Sequence, residues 1–159
     1  MRILGIDPGY ATLGWAVVEA DLRVVAFGVV ETTNAAPFDE RLLQIHREID
    51  SLITQYNPDC AALEKLYFTR NRKTAIDVAK SIGSITLTMK LRSIPAFEYN
   101  PTQIKQAITG YGSASKRQMQ TMIMRLFNMP TPPRPDDVAD ALAIAACHSF
   151  SIGPGKGRP

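Results

Sequence analysis

Four carboxylates stand where an ordinary surface acid would not be: Asp7 and Glu64, each closing an apolar run, and Asp137 with Asp140 in a stretch of helical periodicity. Acids at i and i+3 project from one face of a helix. Acids that close buried strands are held at the mouth of a sheet, where sheets put their chemistry. Four carboxylates brought to one point would repel one another, so such a set makes sense only with divalent cations, and hard oxygen ligands select Mg2+ or Mn2+. Two such ions about 4 Å apart can activate a water and stabilise the leaving oxygen of a phosphodiester. Each acid also has a plainer reading. Asp7 could bond the amides of its own turn, Glu64 could be a strand-end surface residue, and Asp136, Asp137 and Asp140 could cap a helix and favour its positive end.

Other chemistries find less support. His46 and His148 lie inside helical patterns with no zinc-like spacing, and Gly110-Tyr-Gly-Ser lacks the spacing of a phosphate-binding P-loop. No nucleophile turn of the Ser/His/Asp kind is present. Metal-assisted phosphodiester hydrolysis is left.

The elements that must position the acids follow from the pattern. Ile3, Leu4 and Ile6 read as a fully buried strand ended by Asp7, and Pro8-Gly9 forces a reversal, since proline fixes φ and glycine accepts positive φ. Leu13–Val18 and Val24–Val30 are further strands on short links, which implies an antiparallel meander. From about Pro37 to Tyr56, Phe38, Leu42, Ile45, Ile49, Leu52 and Ile53 recur at three and four, so an amphipathic helix crosses over to a short strand, Cys60–Leu63, parallel to its neighbour and ended by Glu64. A loop over Lys65–Lys73, a helix from about Thr74 to Leu91 and a strand over Pro95–Tyr99 come next. Asn100-Pro101 caps a short helix to about Thr109, Lys116–Phe127 is helical, the prolines of Pro130–Pro135 exclude regular structure, and a last helix runs from about Asp136 to Phe150. The expected architecture is α/β: one mixed five-stranded sheet flanked by helices.

At 159 residues the chain is expected to form one domain over residues 1–150, with a Gly/Pro-rich flexible tail over 151–159. No secretory signal or membrane-length apolar run is evident, and Cys60 and Cys147 in apolar surroundings read as buried free thiols, which points to the cytoplasm. The net charge of +3 conceals a strong asymmetry. Residues 1–64 hold 4 Lys/Arg against 10 Asp/Glu, whereas residues 65–134 hold 12 against 2. So basic a block is the footprint of a polyanion partner.

Five segments in order carry a resemblance: Ile3-Leu-Gly-Ile-Asp-Pro-Gly9; Leu63-Glu-Lys-Leu-Tyr-Phe-Thr-Arg-Asn71; Phe97-Glu-Tyr99 with Gln103-Ile-Lys105; Thr109-Gly-Tyr-Gly112 with Lys116; and Asp137-Val-Ala-Asp-Ala-Leu-Ala143. Together they resemble the RuvC family of bacterial Holliday-junction resolvases, over Met1 to about Ser149. One motif alone would be weak, since Gly-Ile-Asp-x-Gly also opens actin-like and sugar-kinase ATPases. The resemblance implies a ribonuclease-H-like fold, a homodimer, and paired nicks in two like-polarity strands of a four-way junction during recombination and repair, leaving 5′-phosphate and 3′-hydroxyl ends. It implies that Asp7, Glu64, Asp137 and Asp140 bind two catalytic ions, Mg2+ with Mn2+ able to substitute, and that Lys105 and Lys116 serve the scissile phosphate, Lys116 as part of the catalytic set. Tyr67 matches an aromatic that stacks on opened bases, with Phe68 beside it able to share that role or to plug the core. Arg70, Asn71, Arg72 and Lys73 would contact DNA, and RuvA and RuvB, the branch-migration proteins, would be partners.

The chain departs from the common pattern at Lys65 and Lys80, where many members carry acidic or amide side chains, and this leaves sequence preference at the cut open. Some members place a histidine at the position of Asp137. Three alternatives compete: an actin-like phosphotransferase, which needs two lobes and more chain; a catalytically inactive branched-DNA binding protein, against which all four acids speak; and a related nuclease on another branched or RNA-containing substrate.

Overall fold

Strands β1 (Arg2–Asp7), β2 (Thr12–Glu19) and β3 (Val24–Glu31) form the expected antiparallel meander. Helix α1 (Phe38–Tyr56) then carries the chain back so that β4 (Cys60–Glu64) runs parallel to β1, and α2 (Arg72–Leu91) repeats the crossover to lay β5 (Ala96–Tyr99) parallel to β4. The sheet order is β3-β2-β1-β4-β5, which puts the two acid-bearing strands side by side in its middle. Three helices complete the fold: α3 (Pro101–Thr109), α4 (Lys116–Leu126) and α5 (Asp136–Ile152). This computed structural model describes residues 1–66 and 72–153, with the backbone alone for residues 72–74.

Both faces of the sheet are covered, which is why β1 is an unbroken apolar run rather than an alternating one. Ile3 faces a core built with α3, α4 and α5, while Leu4 and Ile6 face the opposite core with α1 and α2. Cys60 and Cys147 are buried free thiols, and burial pushes both up to about 11. None of the described helices is long and apolar enough to cross a membrane.

Several boundaries differ from the sequence reading. Helix α2 begins at Arg72 rather than Thr74, consistent with the good helix propensity of Arg and Lys. Helix α5 continues to Ile152, taking in the first two residues read as tail. The Asn100 cap is present as a reciprocal capping box with Gln103, and a second box, Ser115 with Gln118, opens α4 where the sequence reading had none.

Candidate active site

Asp7 and Glu64 reach the same end of the sheet because β1 and β4 are parallel and in register, Ile6 opposite Leu63. Each acid is the next residue along, so the two carboxylates leave neighbouring strands roughly 5 Å apart. The turn behind Asp7 is tight for a reason other than the one expected. Gly9 does not have a positive φ; instead a Cβ there would lie 1.8 Å from the carbonyl oxygen of Thr12.

Helix α5 brings the other two acids, and two strand glycines let it. A Cβ at Gly14 would stand 2.1 Å from the carbonyl oxygen of Asp137, and one at Gly5 would stand 2.3 Å from that of Ala141. Gly14 is the β2 partner of Asp7. The first turn of α5 therefore lies over the residue opposite Asp7, and Asp140 follows one turn later on the same face. Alanines at 139, 141, 143, 145 and 146 keep the helix thin enough for this approach.

The electrostatics record the convergence. Asp7 is pushed up from 3.8 to about 8, first by burial, then by Asp140, Glu64 and Asp137, with Lys116 opposing. No hydrogen bond from its own turn helps hold the charge, so the reading of Asp7 as a carboxylate satisfied by local amides fails. Glu64 is raised by burial and by Asp140, with Lys105 opposing. Asp140, at the open rim, is raised first by partial desolvation against the cleft walls, with Lys116 and Lys105 pulling the other way and Asp137 and Asp136 adding to the rise.

Among the described residues, no three acidic, histidine or cysteine side chains are yet close enough to grip one ion. The donor set is all hard oxygen and includes one deeply desolvated carboxyl, which fits Mg2+ or Mn2+ and not a soft metal.

Two adjoining clefts open beside Glu64. One, about 180 Å3, is lined by Glu64, Lys105, Lys116, Asp136 and Asp140 among others; the second, about 220 Å3, is lined by Asp7, Glu64, Lys65 and Val78, and Pro101 forms a wall of both. Each is smaller than the ~300 Å3 at which small-molecule pockets begin. A shallow groove of this kind suits an extended backbone passing over the acids rather than an engulfed ligand.

Lys105 on α3 and Lys116 on α4 line the cleft that also holds Glu64 and Asp140. Lys116 is not unpartnered: its Nζ lies 2.7 Å from Oδ2 of Asp136, and this pair raises the lysine and lowers the acid. Asp136 is the first helical residue of α5 and not its cap; the cap position is Pro135, and no side chain caps the helix. Tyr67, Phe68, Arg70 and Asn71 lie outside the described residues, as do the side chains of Arg72 and Lys73, although the backbone of these last two opens α2. His46 and His148 are tied into the fold: His46 Nδ1 meets Thr88 Oγ1 at 2.8 Å, and buried His148 bridges Tyr99 Oη at 2.7 Å and Cys60 Sγ at 3.3 Å.

The sequence reading missed Gly5, Gly14 and the Lys116–Asp136 pair. A glycine inside a strand is a mark of close backbone approach, so Gly5 and Gly14 carried a legible signal. Nothing in the spacing of Lys116 and Asp136 announced their meeting.

Comparisons with known proteins give the family and the fold. The family model for the crossover junction endodeoxyribonuclease RuvC matches residues 3–148. The crossover junction endodeoxyribonuclease RuvC of Chloroflexus aggregans is 49% identical over 154 residues, which is 95% of this chain and 94% of that protein. The one from Thermomicrobium roseum is 48% identical over 150 residues, 93% of this chain and 92% of that protein. Among solved structures, Thermus thermophilus RuvC in complex with a Holliday junction substrate matches with a TM-score of 0.92 at 32% identity, covering 98% of this chain and 97% of that one. A yeast mitochondrial Holliday junction resolvase, 15% identical, shares the fold with a TM-score of 0.62 over 93% of this chain and 78% of its own.

Proposed function

The chain belongs to the RuvC family of crossover junction endodeoxyribonucleases, with the ribonuclease-H-like fold of that family, and from this premise we propose how its residues resolve a four-way junction. Two strands of like polarity are nicked in a metal-dependent reaction, leaving 5′-phosphate and 3′-hydroxyl ends. The observation that carries this reading is the meeting of Asp7 and Glu64 at one end of the sheet, under the first turn of α5 and at the edge of an open groove, where burial and three neighbouring acids push Asp7 up to about 8.

Asp7, Glu64, Asp137 and Asp140 would hold two divalent ions, Mg2+ in the cell with Mn2+ able to replace it. When bound, such ions supply the positive charge that makes water nucleophilic at neutral pH and steadies the leaving oxygen. The chain's own groups do the rest. Lys105 and Lys116 stand on one wall of the groove, where an ammonium offsets charge on the scissile phosphate as it becomes pentacoordinate. Arg70, Asn71, Arg72 and Lys73, six to nine residues beyond Glu64 in sequence, would fix the strand by its phosphates, a contact that carries no base information. Tyr67, and Phe68 with it, would stack on a base opened at the junction, a contact worth ~1–3 kcal/mol whatever the base.

Each chain has a single set of acids, while resolution needs two cuts related by the junction's own two-fold symmetry. A homodimer meets that need. Supporting it, Ile76, Gly83, Leu87 and Leu91 make one exposed stripe along α2, with Ile76, Leu87 and Leu91 each more than half exposed. RuvA and RuvB would deliver the junction, and the cytoplasm, with its reducing conditions, suits two buried free thiols.

The test is cleavage of an end-labelled mobile four-way junction beside a matched linear duplex, with Mg2+, with Mn2+ and with chelator. Paired metal-dependent nicks on the junction alone are expected. Binding without nicks under both metals would turn the reading to a branched-DNA binding protein, and equal cutting of the duplex would remove junction specificity.

A further inference from the structure

Lys116 is the first residue of α4 and Asp136 the first of α5, and their side chains meet on the wall of the cleft that also holds Glu64 and Asp140. The contact is built in an uneven way. The Lys116 side chain is 65% exposed, on a stem long enough to swing, and its 2.7 Å contact with Oδ2 of Asp136 is the ion pair holding it. Asp136 has further partners at its other oxygen: Oδ1 accepts from Gln120 Nε2 at 3.2 Å and from Arg134 Nη1 at 3.5 Å. If the ammonium leaves, the carboxylate keeps a cation and an amide. If a phosphate arrives, the ammonium loses nothing. The exchange therefore strands no charged group, which is the condition for a partner swap to cost little.

We propose that Asp136 is the resting partner of Lys116 and stands in for a DNA phosphate: it holds the lysine on the cleft wall in the free protein and yields it to the backbone when a strand enters. Asp136 then stays with Gln120 and Arg134. It is a positioning residue, since it acts through Lys116 and has no place among the four acids grouped at Asp7. The same carboxylate adds negative charge to the groove, so it disfavours any polyanion that cannot engage Lys116. Weak, non-specific contacts are filtered at little expense to the productive one. This inference rests on the reading of the cleft as a phosphate-binding groove.

Binding of a labelled four-way junction, measured in chelator by anisotropy across a salt series, tests it without any cleavage readout. The proteins are the wild type, Asp136→Asn, Lys116→Ala and the double variant, with Asp136→Ser as a second probe of the same position and thermal midpoints confirming that all are folded. Asp136→Asn is expected to tighten binding roughly two- to fivefold, the range an exposed ion pair allows. Lys116→Ala should weaken binding and lower the salt slope by about one. In the Lys116→Ala background the gain from Asp136→Asn should largely vanish. An equal gain with and without Lys116 would mean that Asp136 acts only as a bulk charge, and weaker binding by Asp136→Asn would mean that it presents Lys116 to DNA; either overturns the proposal alone. Absence of junction binding by the wild type would overturn the proposed function and the exchange with it.

Discussion

A carboxyl whose pKa stands near 8 keeps its proton through the neutral range until a cation takes the proton's place, and Asp7 is such a group. Its pKa in the folded chain lies above the ordinary 3.8, so between those values the folded state binds a proton that the unfolded state has lost. The metal-free protein should therefore lose stability as pH rises from about 5 to 8, by less than about 1.4 kcal/mol per unit from this group. Saturating Mg2+ should reverse the loss, and Asp7→Asn should flatten the profile. Thermal midpoints across pH, with and without Mg2+, check this; a midpoint that rises steadily over that range in chelator would contradict it. Asp7 itself was legible in the sequence, because an acid that ends an apolar strand has nowhere else to be. Its alternative, a carboxylate satisfied by its own turn, could be discarded only once the surrounding charges were located.

At the scale of elements, the acids are assembled by two packing decisions: parallel pairing of β1 with β4, and the close crossing of α5 over β1 and β2. The first could be read from the chain, since a helix between two apolar strands makes a parallel neighbour. The crossing could not, because it depends on Gly5 and Gly14 lying beneath backbone carbonyls of a helix more than 120 residues away. Gly14→Ala tests its importance. The added Cβ has backbone, not a flexible side chain, in its path, and overpacking of that kind costs ~1–3 kcal/mol. A drop of several degrees in Tm is expected, together with a loss of cleavage larger than the residual folded fraction explains, because α5 must lift Asp137 away from Asp7. Unimpaired cleavage at a temperature where the variant is folded would show that the acids tolerate displacement.

For the molecule as a whole, the basic block of residues 65–134 pointed to a polyanion, and Lys65, Lys105 and Lys116 do line the two clefts. Charge summed along a chain still says nothing about where each group points. Arg92, in the same block, is spent on an ion pair with Asp50 of α1. The α2 stripe was hidden in a similar way: periodicity announced an apolar helix, but it could not separate the face that buries Ala75, Ile85 and Met89 from the face that exposes Ile76, Leu87 and Leu91. If that outer face joins two copies, Leu87→Glu should place a charge in the contact and shift the protein from dimer to monomer. Its thermal midpoint at high dilution should be close to that of the diluted wild type. Light scattering on a size-exclusion column reads the mass directly, and a variant that stays dimeric at micromolar concentration would move the interface elsewhere.

If the four acids form one metal site, that site cuts the strand and is not needed to hold it. The most direct measurement is single-turnover cleavage of a labelled four-way junction by Asp7→Asn in Mg2+, with bound fraction read from the same samples. Binding within about twofold of wild type, with cleavage reduced by at least ~100-fold, is the predicted result, in keeping with the loss of a group that serves the transition state rather than the ground state. Cleavage at the wild-type rate would contradict the assignment of Asp7, and with it the metal site built around that residue.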